Sequence, residues 1–80
     1  MSTLELTEFL VKNLVKEPEL VSVKEYNDED EAVIEILVSD SDMGAVIGRS
    51  GNIAKSIRTL VNASHYAKTK ERIRINIDSY

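Results

Sequence analysis

Eighty residues carry no cysteine, a net charge of −4 and no apolar run long enough to span a bilayer. These bounds exclude a disulfide framework, a thiolate metal site and a membrane-spanning helix. They leave a single domain, residues 1–80, whose thin core gains from oligomerisation.

In chain order, Ser2-Thr3-Leu4-Glu5 has the form of a capping box. The helix it opens is predicted over Thr3–Lys16, with Leu6, Phe9, Leu10 and Leu14 as its core stripe. Leu4, Val11 and Val15 form a second stripe, free to cover a sheet edge or meet a partner. Pro18 ends the helix, because the residue before a proline avoids helical angles. The N-terminus has no basic flank and carries Glu5 and Glu8, so no signal peptide is expected and the expected location is the cytoplasm.

Leu20–Tyr26 alternates weakly, and Ala32, Ile34, Ile36 and Val38 alternate strictly with Val33, Glu35 and Leu37. With Asn27–Asp30 as the turn, the two runs predict a hairpin. Asp28 and Asp30 match the first positions of a calcium loop, but the glycine position holds Val33, so a solvated acidic turn is the expectation and no metal site is assigned. Ser39-Asp40-Ser41-Asp42 supplies caps and acids for a helix start, and Met43–Ile47 is a short helix.

A long helix is predicted from Asn52 to Tyr66, with Ile53, Ile57, Leu60, Val61 and Ser64 on one face and Lys55, Arg58, Asn62 and His65 roughly opposite. Thr69-Lys70 is placed in a loop, and Arg72–Asp78 is a strand with Ile73, Ile75 and Ile77 inward. The order α-β-β-α-α-β predicts an α+β domain, a three-stranded mixed sheet covered on one face by three helices. Its last two strands run parallel if they are adjacent.

Charge is distributed unevenly along this order. Residues 1–42 hold 3 Lys/Arg against 12 Asp/Glu, while residues 43–80 hold 7 against 2. Asymmetry between halves is a feature of chains with a nucleic-acid face on one side.

Between the two later helices lies Val46-Ile47-Gly48-Arg49-Ser50-Gly51-Asn52-Ile53. Two glycines three apart let the backbone approach an anion closely and tolerate positive φ. The helix that starts here directs its unpaired N–H groups and positive dipole end at the same spot. Arg49 adds a planar fork suited to phosphate. Gly-x-x-Gly alone also fits a plain helix–turn–helix corner.

The wider pattern narrows this. The Gly-x-x-Gly loop inside β-α-α-β, preceded by α-β, resembles a type II KH domain. The runs Asp42-Met43-Gly44 and Ile53-Ala54-Lys55-Ser56-Ile57-Arg58 resemble more narrowly the bacterial KhpA (YlqC-like) family of stand-alone KH proteins. The resemblance covers nearly the whole chain. KH domains clamp four nucleotides with this loop.

The resemblance therefore implies binding of single-stranded RNA without catalysis or cofactor. It also implies self-association as a homodimer, and a heterodimer with a larger KH-domain protein carrying a second nucleic-acid-binding domain. By the same resemblance, RNA chaperoning and a link to cell elongation, division and cell-wall biogenesis are implied.

The expected RNA-binding residues are Gly48, Arg49, Ser50 and Gly51 in the loop, with Ile47, Asn52, Ile53, Lys55 and Arg58 around it. The expected apolar floor is Ile47, Ile53 and Ile36. The acidic turn Asp28-Glu29-Asp30-Glu31 would flank the groove, which implies weak and poorly selective binding.

A second reading, a dimerisation or adaptor module with weak or vestigial RNA binding, rests on the doubly striped first helix and on Ile53 and Ala54 beside the loop. An enzyme fits poorly. His65 has no cysteine and no positioned partner, and no Gly-Lys-Ser/Thr phosphate loop or Gly-x-Gly-x-x-Gly pattern occurs. His65 is expected at the surface, and Tyr26, Tyr66 and Tyr80 are not expected to form a common aromatic platform.

Overall fold

The computed structural model describes residues 1–80. Helix α1 spans Thr3–Lys12 and opens with the full capping box. Ser2 Oγ accepts from the Glu5 N–H, and the Glu5 carboxylate accepts from the Ser2 N–H. Strands β1 (Ser22–Asp28) and β2 (Glu31–Val38) form an antiparallel hairpin. Helices α2 (Met43–Ile47) and α3 (Asn52–Thr69) follow, and β3 (Ile73–Ser79) returns parallel to β2.

The sheet order is β1-β2-β3, with β2 central. The α+β architecture read from the sequence is the observed one, and the last two strands are indeed adjacent and parallel. Ile34, Ile36 and Val38 of β2, Ile73 and Ile75 of β3, Val11 of α1, Val46 of α2, and Ile57 and Val61 of α3 make one core cluster. Burial of this set is the main favourable term for so small a domain.

Several expectations need correction. Helix α1 stops at Lys12, not Lys16. Asn13 caps it, its side-chain amide donating to the Phe9 carbonyl. The next amides are drawn elsewhere. Asp42, only 2% exposed, accepts from the N–H of Lys16 and of Glu17, each at 3.1 Å. Asp42 thus staples the end of α1 to the start of α2. It does not cap its own helix, where no side-chain cap bond forms.

The core face of α1 draws mainly on the other stripe, with Leu10 kept from the expected one. Val11 is fully buried and Leu4, Leu10 and Val15 pack against the core, while Phe9 and Leu14 are exposed. The N-terminal part of the buried face is polar: Thr3 and Thr7 lie inside, with Thr7 Oγ1 donating to the Thr3 carbonyl. Two inward threonines are what hid the true stripe from a hydrophobic count.

The hairpin turn is two residues, Glu29 and Asp30, both at positive φ (50° and 70°), so Asn27 and Asp28 continue β1. Two positive φ values match the twist of the flanking strands. No Asn-Gly or Gly marked the position in the sequence.

Helix α3 runs to Thr69, three residues past Tyr66, and closes on Lys70 in the left-handed region with its N–H on the Tyr66 carbonyl. His65 is 7% exposed rather than at the surface. Its Nδ1 shares a 3.1 Å hydrogen bond with Thr3 Oγ1, tying α3 to the start of α1. Ala54, expected beside the loop without cover, is 3% exposed.

Candidate nucleic-acid interface

Helix α2 is only five residues long and ends at Gly48, whose φ of 77° and ψ of 174° lie in a region open essentially to glycine alone. The second reason for glycine is space. A Cβ at position 48 would stand 2.5 Å from Ile53 Cγ1 and 2.8 Å from Ile53 Cβ. The backbone of Gly48 therefore rests on Ile53, which fixes the loop against the first turn of α3.

Arg49, Ser50 and Gly51 form a single tight turn in which Ser50 (φ 56°) and Gly51 (φ 75°) are left-handed. The Gly48 N–H donates to the Gly44 carbonyl at 2.9 Å, and the Gly51 N–H to the Gly48 carbonyl at 3.2 Å. The glycine amides are thus spent inside the loop. What faces solvent is the arc of Arg49 and Ser50, both exposed. Gly51 caps α3 and offers no side-chain oxygen to its first amides, so the positive end of an 18-residue helix is left uncapped beneath this arc.

The expected site residues divide into two groups. Arg49, Ser50, Asn52, Lys55 and Arg58 are exposed. At about 100° per residue, Arg58 lies about 140° around α3 from Ile53 and faces β3, where its Nε donates to the Ile75 carbonyl at 3.4 Å. Ile53 turns the other way, toward α1. Together with Phe9, Leu10, Leu14, Ile57 and Leu60 it lines an apolar groove of about 290 Å³. Ile47 is half-buried at the end of α2. Ile36 is fully buried, so it belongs to the core and not to any floor a base could reach.

Charge is sorted by the fold in the same way. Among the seven Lys and Arg of residues 43–80, Arg74 alone pairs with carboxylates, those of Asp28 at 3.3 Å and Glu31 at 2.9 Å. The acidic turn is therefore partly neutralised from within, while Arg49, Lys55, Arg58 and Arg72 form no ion pair. Tyr26 sits on β1, Tyr66 on α3 and Tyr80 at the C-terminus, three separate places. Two features escaped the sequence reading. Phe9 and Leu14 line a groove instead of the core, and Tyr66 shares a face of α3 with Arg58 and Asn62. A series at 58, 62 and 66 was the signal available for the second.

No group of His, Cys, Asp or Glu is placed to hold a metal ion, and no helix is long and apolar enough to cross a membrane.

Comparison with known proteins adds to this geometry. The family described as KhpA/KhpB, KH domain, matches residues 5–77. The RNA-binding protein KhpA of Borreliella burgdorferi is 43% identical over 74 residues, covering 92% of this chain and 89% of its own. That of Clostridium perfringens is 46% identical over 67 residues, covering 84% and 89% respectively.

Among solved structures, Aquifex aeolicus Era bound to GDP.AlF4- superposes with a TM-score of 0.70 at 18% identity. The match takes in 98% of this chain but 30% of that one. Era in complex with MgGDPNP and a segment of 16S ribosomal RNA gives 0.67 at 18% identity, over 96% of this chain and 29% of that one. At that identity the likeness to Era is one of fold.

Proposed function

The chain belongs to the KhpA/KhpB KH-domain family, and from that premise we propose that it binds single-stranded RNA through the loop Gly48–Gly51. The observation that carries this reading is the exposed Arg49–Ser50 arc. It is held at the uncapped start of α3 by the seating of Gly48 on Ile53. A phosphate lies against that arc, where the helix dipole and the unpaired Arg49 guanidinium act together. Lys55 and Arg58 continue the positive track along α3 toward β3. Asn52 and Ile47 border the loop, and Ile53 supports it from below. The action is binding, with no reaction and no cofactor.

Replacing Arg49 and Ser50 together with aspartate sets two carboxylates against the phosphates. Binding to a labelled single-stranded RNA is lost, while circular dichroism stays that of the folded chain because both positions are exposed. Wild-type affinity in the folded double variant would remove the loop from the site.

A second reading is supported by the apolar groove of Phe9, Leu10, Leu14, Ile53, Ile57 and Leu60. Phe9 and Leu60 are 55% and 53% exposed, which is unusual for large apolar side chains sharing one depression. The groove gives the chain a face for a second copy, or for a larger KH-domain protein with its own second nucleic-acid-binding domain. The first-helix face expected from the sequence, Leu4, Val11 and Val15, is turned into the core, so α1 contributes Phe9 and Leu14 instead, beside the Ile53 side of α3. In this reading a short, weak clamp gains avidity by pairing. RNA chaperoning in the cytoplasm, and control of cell elongation, division and wall synthesis through bound RNAs, are the roles we assign to such pairs.

A further inference from the structure

On the side of α3 away from α1, a broad groove of about 870 Å³ runs between the second half of the helix and the start of β3. Its walls include Arg58, Asn62, Tyr66, Arg72 and Ile73, and no carboxylate is among its lining residues. Asn62 builds the groove without facing a ligand. Its Oδ1 accepts from the Ile73 N–H at 2.9 Å and its Nδ2 donates to the Arg58 carbonyl, fixing β3 against α3.

Arg58 spends one N–H on Ile75 and keeps the rest of its fork, and Arg72 has no acidic partner. Tyr66 is 51% exposed, and the Lys70 ammonium lies 5.9 Å from its ring centroid. The nearest acids by sequence and register are Glu71, beside Arg72, and Asp28 and Glu31, both held by Arg74.

We infer that this groove is a second RNA-binding segment, in which Tyr66 stacks a base and Arg72 holds a phosphate of the strand leaving the glycine loop. The inference rests on the loop reading above and extends it. A flexible strand needs π-faces and cations along its path more than it needs hydrogen-bond readout. Arg58 joins the two segments: it follows the loop by about two turns of α3, and Tyr66 follows it by about two more. From Asn52 to Tyr66 the helix rises about 21 Å at 1.5 Å per residue. That is about six stacked nucleotides at 3.4 Å each, against the four that the loop clamps. The footprint on this chain is therefore longer than the loop alone serves. A docked protein segment is the other occupant of comparable size, and the two unpaired arginines with no lining carboxylate between them favour the phosphate-bearing strand over it.

The test compares a uridine tetramer with a uridine octamer, measured by fluorescence anisotropy and by amide chemical shifts. The wild-type chain binds the octamer more tightly than extra registers on a tetramer site explain, by about fivefold or more from the Tyr66 stack. The octamer salt slope is steeper by about 0.7 for the phosphate on Arg72.

Tyr66→Ala/Arg72→Ala removes both excesses and leaves tetramer affinity unchanged, whereas Tyr66→Phe keeps the stack. In the wild-type chain the Ala63, Tyr66 and Ala67 amides shift with the octamer and not with the tetramer, a readout that needs no variant. An octamer excess that survives the double substitution overturns the inference. So do unmoved amides at these positions, or a variant that changes self-association while leaving RNA binding intact. The loop is judged separately: binding of both lengths by Arg49→Asp/Ser50→Asp defeats the loop reading, while the length ratio still reports on the groove.

Discussion

Gly48→Ala is the sharpest perturbation of the loop, because two separate penalties meet at one atom. The backbone at φ 77° and ψ 174° is strained for any residue with a side chain, at about 1–3 kcal/mol. The new Cβ would also stand 2.5, 2.8 and 2.9 Å from Ile53 Cγ1, Cβ and Cδ1. Ile53 is β-branched and stiff at χ1 on a helix, and its Cβ cannot move unless α3 moves. Overpacking of this kind adds about 1–3 kcal/mol.

Since Ile53 is half-buried and has some freedom outward, we expect a sum near 3 kcal/mol, against about 4–12 kcal/mol for a domain of this size. The midpoint of thermal unfolding falls by about 12–24 °C. Gly51→Ala is the internal control. Its φ of 75° and ψ of 12° are left-handed, yet nothing lies within 4 Å of a Cβ there. It costs about 1 kcal/mol, or about 4–8 °C. Ile53→Ala removes two of the three close contacts and keeps the Cβ, so the Gly48→Ala/Ile53→Ala cycle shows a favourable coupling of about 1 kcal/mol. Calorimetry and urea unfolding read the wild type and all four variants. Equal shifts for the two glycine variants, or an additive cycle, would refute the seating of Gly48 on Ile53.

Three further outcomes are expected. With about three phosphates held on a single strand, log affinity falls against log salt with a slope of roughly −2; a flat titration removes the phosphate clamp. In sedimentation, the wild-type chain is a dimer at high concentration, and Leu60→Arg or Phe9→Arg is a folded monomer, because a charge in the apolar groove has no partner there. These exposed positions probe the groove more cleanly than Ile53, which also supports Gly48, and a wild-type monomer near millimolar concentration ends that reading.

The third concerns acid. Hydrogen bonds from the Lys16 and Glu17 amides and from Ser39 Oγ hold the Asp42 carboxyl below the ordinary aspartate value of 3.8. The folded pKa is the lower one, so this contribution is fully present above pH 3.8 and is lost as pH falls through the depressed value. Glu5, lowered by its bonds with Ser2, acts in the same direction. Asp42→Asn lowers the unfolding midpoint at neutral pH and flattens its decline below about pH 4; an unchanged acid slope contradicts the staple.

Much of this architecture was legible because local signals and global demands agreed. The capping box at Ser2–Glu5, the alternation through β2 and the isoleucines of β3 each had one solution, and the two-layer domain followed. The loop was legible as a turn between two helical runs, because its two glycines permit the positive φ values found at Gly48 and Gly51. What failed to show had a physical cause in each case. Thr3, Thr7 and His65 are polar groups that satisfy one another or the backbone inside the core, so hydrophobic counting placed α1 on the wrong stripe and His65 at the surface. Asp42 looked like a helix-start acid because its true partners, the amides of Lys16 and Glu17, are distant in sequence. Ile36 joined an expected floor because the sequence could not say which face of the central strand lies under helices.

The same structure explains how an acidic chain presents a face suited to phosphate. Net charge describes the molecule at a distance, where screening over about 10 Å erases most of it. At the surface only the local pairing matters. Arg74 holds Asp28 and Glu31 at the base of the hairpin, which withdraws two carboxylates from the end of the sheet nearest the β3 start. The remaining cations of the C-terminal half have no carboxylate to answer, and α3 carries Lys55 and Arg58 on its outer side while its other flank is apolar toward α1. One helix thus separates two surfaces of opposite chemistry. Ile53 sits where they meet, lining the apolar groove on one side and supporting Gly48 on the other. In the paired reading proposed above, a partner seated in that groove would touch the residue that sets the loop, and it would bias the loop only through differential contact with Ile53.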